Sequence, residues 1–237
     1  MSEWKAKRFW KDVSVEAEGD GWQVLLDGRP VRTPLKTPMI LPTREMAEAV
    51  AAEWTAQEGE IDPLSMPVTR SANAALDKVT AQHAEVAAML AAYAETDLLC
   101  HRAAFPEELV EQQKKGWDPV LDWAAQTYGA PLVAVEGILP AEQPADSLAR
   151  YHAEIASYAP FSLTALHDLI TLSGSLILGL YAAREGAPAE TIWALSRIDE
   201  DWQVTQWGED EEAAEAAAIK RAAFLHAASF LALAQGS

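Results

Sequence analysis

Cys100 is the only thiol in this 237-residue chain. A single cysteine excludes an intramolecular disulfide framework and a cysteine-built zinc site, and it suits a reducing compartment. Basic side chains are also scarce, with 18 Lys and Arg against 36 Asp and Glu and a formal net charge of −18. A general nucleic-acid binder needs cationic surface to displace counterions, and adhesion to anionic lipid needs the same. No nucleic-acid partner is therefore expected. The sequence holds no Gly-x4-Gly-Lys-Ser/Thr phosphate loop, no Gly-x-Gly-x-x-Gly after a strand and no Gly-x-Ser-x-Gly elbow, which argues against an ATP-driven machine or a Rossmann enzyme. The best apolar run, Leu169 to Tyr181, is broken by Ser173, Gly174, Ser175 and Gly179. It falls short of the roughly 20 residues a membrane span needs, so no membrane insertion is expected. Residues 1–8 lack the apolar core of a secretory leader and are too acidic for a transit peptide.

What is present is a half-hydrophobic chain, enough to build a substantial core. Charge is uneven. Residues 1–44 hold eight basic and six acidic side chains, so the remaining residues carry a net charge of −20. The first region reads as strand and turn. Val13 and Val15 alternate with Ser14 and Glu16, Trp22 to Leu26 forms the next strand, and Asp27-Gly28 signals a hairpin. Thr43 caps a helix running through Met46, Val50 and Trp54. Beyond a Pro-punctuated stretch the pattern is almost wholly helical. Helices are expected near 69–78, 81–101, from Pro106, from Asp118-Pro119 to Gly129, and at 145–158, 162–184, 188–207 and 210–234. The fold class is α+β, a small β-rich N-terminal domain over 1–70 followed by a larger all-helical domain over 71–237.

Few residues look chemical. The five histidines form no His-x-x-x-His pair, and His83-Ala84-Glu85 lacks the cysteine half of a zinc deaminase signature. No metal or cofactor is expected. His167-Asp168 reads as a helix pair, and Cys100 as a buried inert thiol, because its neighbour His101 points about 100° away on a helix. Asp97 is more demanding. On a helical wheel it falls within the stripe of Val86, Met89, Leu90, Tyr93 and Cys100, where a carboxylate needs a partner. His101 and Arg70 are the candidates. A structural buried salt bridge is one reading. The other is a catalytic carboxylate in a helical, metal-assisted enzyme built on Asp97, His101, Glu95 and Arg70. Trp117 is placed to staple a helix start at Asp118.

The segment from Ser196 to Gly208 is the most informative. A continuous helix there puts Ile192, Leu195, Ile198 and Trp202 on one side, and Trp193, Arg197, Glu200, Val204 and Trp207 on the other. One apolar stripe suffices to join a core. A second stripe, aromatic and charged, belongs to a helix buried on both sides or to one that waits for a partner.

Five blocks in register resemble a known family. They are Arg8-Phe9-Trp10-Lys11-Asp12-Val13; Leu26 to Pro34 around Asp27-Gly28-Arg29-Pro30; Ala49 to Trp54; Glu95 to Arg102 with Trp117-Asp118-Pro119; and Ser196 to Gln203 ending in Gln206-Trp207-Gly208. Together they resemble the assembly chaperones that protect the alpha subunit of the catalytic head of F-type ATP synthase. The resemblance implies a non-enzymatic, ATP-independent protein without a cofactor. Such a protein binds the unassembled alpha subunit, prevents its aggregation and hands it to the beta subunit. It also implies a monomer, cytoplasmic in a bacterial member and in the mitochondrial matrix in organellar relatives. Carried over by position, Glu200 is the principal client-binding residue, with Asp199, Trp202 and Trp207 beside it and Trp193 and Arg197 on the same helix. Trp54 and Asp97 are implied to maintain the fold, as are Arg70 and Trp117.

Overall fold

The computed structural model describes residues 7–137, 141–184 and 187–236; the leader reading of residues 1–8 lies mostly outside them. The chain divides into two compact units. The first comprises residues 1–83, 159–165 and 229–237, and the second residues 84–158 and 166–228. The architecture is the expected α+β, a small N-terminal sheet followed by a mostly helical body.

In the first unit, β1 (Val13–Glu18), β2 (Gly21–Leu26) and β3 (Arg29–Pro30) form an antiparallel meander in sequence order. Val13 pairs with Leu26 and Glu18 with Gly21. The Asp27-Gly28 turn has both residues at positive φ, 48° and 75°, the geometry of a tight type I′ hairpin. The Asp27 carboxylate accepts from the amides of Asp12 and Lys11, and these bonds hold its pKa below the ordinary carboxylate value. α1 (Arg44–Thr55) begins at Thr43, whose side-chain oxygen accepts from Met46 N–H and whose hydroxyl donates to Leu233 O. Val24, Leu41, Met46 and Val50 are fully buried, and Trp10 packs edge-on against Trp54 at 5.2 Å. Trp54 is half-buried against that ring, whereas Arg70 is exposed.

Glu53 explains its place in the α1 block. Its carboxylate accepts from the amides of Val68 and Thr69 and from the Thr69 hydroxyl, at 2.7–2.8 Å. It therefore caps the next helix, α2 (Pro67–Ala74), whose own preceding residue Met66 supplies no side-chain cap. Glu53→Ala strands two amides at a helix start and should lower stability by about 1–2 kcal/mol. Urea unfolding should show a lower midpoint with an unchanged slope.

The second unit contains α3 (His83–Ala91), the short parallel pair β4 (His101–Arg102) and β5 (Val135–Glu136), α4 (Glu107–Tyr128) and α5 (Ala145–Ala156). α7 (Leu176–Arg184), α8 (Ala189–Leu195) and α9 (Ile198–Trp207) also belong to it. α6 (Pro160–Ser173) and α10 (Glu211–Gln235) contribute residues to both units. Several expected helices are cut differently. The 81–101 helix stops at Ala91 and continues as two 3₁₀ turns separated by Asp97, whose ψ of 134° is extended. The 162–184 helix breaks at Gly174, at φ 71°, and the 188–207 helix breaks at Ser196–Arg197. Conversely, the helix from Pro106 and the one from Asp118 are a single element, with Pro119 in its interior. The backbone bond that Pro119 cannot donate is outweighed by the burial of Trp117, Val120 and Ala124 around it.

By length and composition α10 is apolar enough to cross a membrane, although Lys220, Arg221 and His226 interrupt its apolar run. Glu211, Glu212, Glu215, Lys220 and Arg221 lie within it. Its C-terminal half is spent on protein cores, with Phe224 and Ala227 buried in the second unit and Phe230 and Leu231 in the first.

Candidate functional site: the groove between two helices

α9 is docked by its own first turn and by the end of α8 before it. Trp117 of α4, fully buried, donates its indole N–H to Leu195 O at 2.8 Å. Gln113, also buried, donates to the Asp199 carboxylate at 2.6 Å and accepts from Ala103 N–H. Gly116 lies between these anchors, where an added Cβ would stand 2.7 Å from Ile198 Cδ1 and 3.1 Å from Leu195 Cδ2. The terminal methyls of Ile198 and Leu195 thus fill the space a side chain at 116 would take. Gly116→Ala should push only these two terminal methyls aside, and the roughly 1 kcal/mol that alanine gains over glycine inside a helix offsets the crowding, so stability should change by no more than about 1 kcal/mol; chemical denaturation checks it. Trp117 does not staple a helix start, since it sits inside α4.

Ser196 ends α8 by donating its hydroxyl to Trp193 O at 2.7 Å. Arg197 follows with non-helical φ and ψ. Its guanidinium lies over the Trp193 ring, 5.8 Å from the centroid, and donates to Glu200 Oε1 at 2.8 Å. Trp193 is itself 7% exposed and tilted against Phe224 at 5.6 Å. A stack results: Phe224, Trp193, Arg197, Glu200, rooted in the core and ending in a half-exposed carboxylate. Glu200 is therefore held in place by the fold itself.

Gly208, at φ 89°, ends α9, and the Asp210 carboxylate caps α10 by accepting from Ala213 N–H at 2.8 Å. Between α9 and the first half of α10 runs a groove of about 630 Å³. Glu200, Val204 and Trp207 form one wall, and Ala213, Ala214, Ala217 and Ala218 form the other. Trp207 is 80% exposed and Val204 45%. Glu190, which pairs with Arg221, lies with Asp201, Glu209 and Asp210 among the residues that rim it.

All five residues of the second stripe read from the sequence, Trp193, Arg197, Glu200, Val204 and Trp207, line this groove. Asp199 and Trp202 do not; Asp199 turns toward α4, and Trp202 is half-buried. The sequence reading missed the α10 wall. Its signal was present in the spacing of alanines at i, i+4 in Glu211–Ala223, together with Asp210 at the cap position.

The Asp97 cluster has another purpose. Asp97 is completely buried, and neither Arg70 nor His101 is its partner. Its carboxylate accepts from Leu99 N–H at 3.0 Å, Ser175 Oγ at 2.7 Å and Ile177 N–H at 3.0 Å. It thus caps α7 from 80 residues away. Burial raises its pKa to about 6 against those donors. The Cys100 thiol is pushed up to about 12, first by burial and then by the Asp97 charge. Arg102 bonds Leu99 O and pairs with Asp118 while covering the Trp117 ring. His167 and Asp168 do meet, at 2.8 Å, as a half-exposed surface pair. Among the described residues no cluster of three or more His, Cys, Asp or Glu could hold a metal.

Comparison with known proteins agrees with this layout. The structure is similar to the crystal structure of Atp12 from Paracoccus denitrificans, with a TM-score of 0.95 and 52% identity over 98% of this chain and all of that one. It is also similar to the Atu1473 protein of Agrobacterium tumefaciens, at a TM-score of 0.89 and 41% identity over 97% of this chain and 86% of that one. The mitochondrial protein atp12 of Schizosaccharomyces pombe is 22% identical over 222 residues, which are 88% of this chain and 76% of that protein. The ATP12 chaperone protein family matches residues 7–125, the stretch that holds the Glu53 cap, the Asp97 cradle and the Trp117 anchor, and with the near-complete likeness to Atp12 of P. denitrificans this establishes that the chain belongs to the ATP12 chaperone family.

Proposed function

We infer that the groove face of α8 and α9 is where this chaperone holds its client, the unassembled alpha subunit of F-type ATP synthase. The protein works without ATP and is not an enzyme. An orphan subunit exposes apolar surface meant for its neighbours, which invites aggregation. The observation that carries the assignment is the pairing of an open indole, Trp207, with the pre-positioned carboxylate of Glu200 in one acid-rimmed groove. An aromatic anchor inside a polar rim is the anatomy of a protein-binding surface. Glu200, Trp207, Arg197 and Trp193 form the contact or support it directly. Asp199 and Trp202 act by fixing α9. Net acidity keeps the complex soluble. Hand-over needs only a beta subunit that binds the client more tightly. The chaperone acts as a soluble monomer, with the C-terminal half of α10 contributing Phe224, Ala227, Phe230 and Leu231 to its own cores.

The test is light scattering of freshly diluted alpha subunit with and without this protein, followed by size exclusion. Suppressed scattering and a co-eluting complex that dissolves when beta subunit is added are the expected results. Undiminished scattering with no complex would overturn the reading.

A further inference from the structure

The groove carries information about the shape of what it binds. Both of its walls are helices, whose backbone groups are bonded internally, so there is no free strand edge on which an extended peptide could ladder. The α10 wall is built of Ala213, Ala214, Ala217 and Ala218, at i, i+1, i+4 and i+5. Rows of small side chains at that spacing form the shallow channel into which the i±4 ridge of another helix packs. Opposite them stand Val204 and Trp207, open to solvent. Five carboxylates and two guanidiniums border the channel, and both arginines are already engaged, Arg197 with Glu200 and Arg221 with Glu190. The uncompensated charge is negative and lies on both sides, Asp201 on α9 and Glu209 and Asp210 at the start of α10.

We propose that the α9–α10 groove takes an amphipathic helix of the alpha subunit, small or aliphatic along its buried ridge and bearing Lys or Arg on both flanks. The proposal rests on the client reading above and specifies its element. The aliphatic ridge seats over the alanines against Trp207 and Val204, and the flanking cations meet Asp201, Glu209 and Asp210. Charge complementarity speeds encounter and sets the orientation, while the buried ridge sets the dissociation rate.

Two measurements on the full-length protein with isolated alpha subunit test it. In the first, a photo-reactive side chain replaces Gln203, an exposed groove residue, and the cross-linked client peptides are mapped. Cross-links concentrated on one client helix with an aliphatic i, i+4 ridge and basic flanks are expected. Cross-links on a strand, an acidic segment or a second copy of this chain would overturn it. In the second, Ala217→Trp fills the groove, and Ala216→Trp, on the exposed non-lining side, is the control. The first should weaken alpha-subunit binding by about tenfold or more, with the control unchanged. Equal affinities for the two would overturn the proposal. If the wild-type complex forms yet both measurements point elsewhere, the groove occupant is wrong and the chaperone reading stands. If no wild-type complex forms, the client reading itself has failed.

Discussion

Asp97→Ala should be the most destabilising single change in the second unit, costing on the order of 3–5 kcal/mol. Two buried amides, Leu99 N–H and Ile177 N–H, and the Ser175 hydroxyl all point at the carboxylate. Each stranded amide costs about 1–3 kcal/mol, whereas the hydroxyl can turn. The loss also frees the start of α7, whose Leu176, Ile177, Leu178 and Leu180 are fully buried. Asp97→Asn should cost less, because one carboxylate oxygen is replaced by an amide that opposes only one of the donors. Folding also raises the Asp97 carboxyl from 3.8 to about 6, so the folded state binds this proton more tightly than the unfolded chain. Its contribution is complete below about pH 4 and is lost as pH rises through about 6. The asparagine variant should lack that part of the pH slope. Urea titrations between pH 4 and 7 give both results, and a midpoint unchanged in the alanine variant would refute the capping role.

The Asp97 case shows what can and cannot be seen in a linear sequence. That a carboxylate within an apolar block needs partners followed from burial alone. Which partners could not be seen, because two of the three donors, the Ser175 hydroxyl and Ile177 N–H, lie about 80 residues away. Glu53 is the same device at shorter range, capping α2 from inside α1. A local cap such as Thr43 is readable because donor and acceptor are three residues apart. So is the Asp27-Gly28 hairpin, whose backbone conformation follows from residue type. Helix breaks followed neither rule well. Pro119 signals a boundary that tertiary packing overrides, while Ser196 and Gly174 end helices across which apolar periodicity runs on unchanged. The second stripe of the 188–207 segment was legible even though that segment is two helices. The break at Arg197 still leaves Trp193 and Glu200 on either side of one guanidinium. The alanine wall was not legible, because alanine marks equally well a helix surface that is bare and one that is a seat.

Glu200→Lys should abolish most client binding while leaving the fold intact, and this pairing of outcomes separates a binding residue from a structural one. Glu200 is half-exposed and ion-paired to an Arg197 that is also stacked on Trp193. A pair of this exposure is worth less than about 1 kcal/mol, so the melting temperature should move by only a few degrees. For the client the change is larger. It removes one carboxylate from the groove and sets a cation beside Arg197 where a basic flank is to be met; like charges across an interface cost several kcal/mol. Affinity for the alpha subunit should fall by at least about tenfold, and the salt dependence of the remaining binding should flatten. Trp207→Ala approaches the same surface without charge. An indole that is 80% exposed contributes little to folding, but as a hot-spot anchor its loss should cost about 2 kcal/mol or more of binding. Because the two residues share one groove wall, the double variant should lose less than the sum of the single losses. Strict additivity would mean that they contact the client independently. Unchanged affinity in Glu200→Lys with a normal melt would move the client site away from this helix altogether.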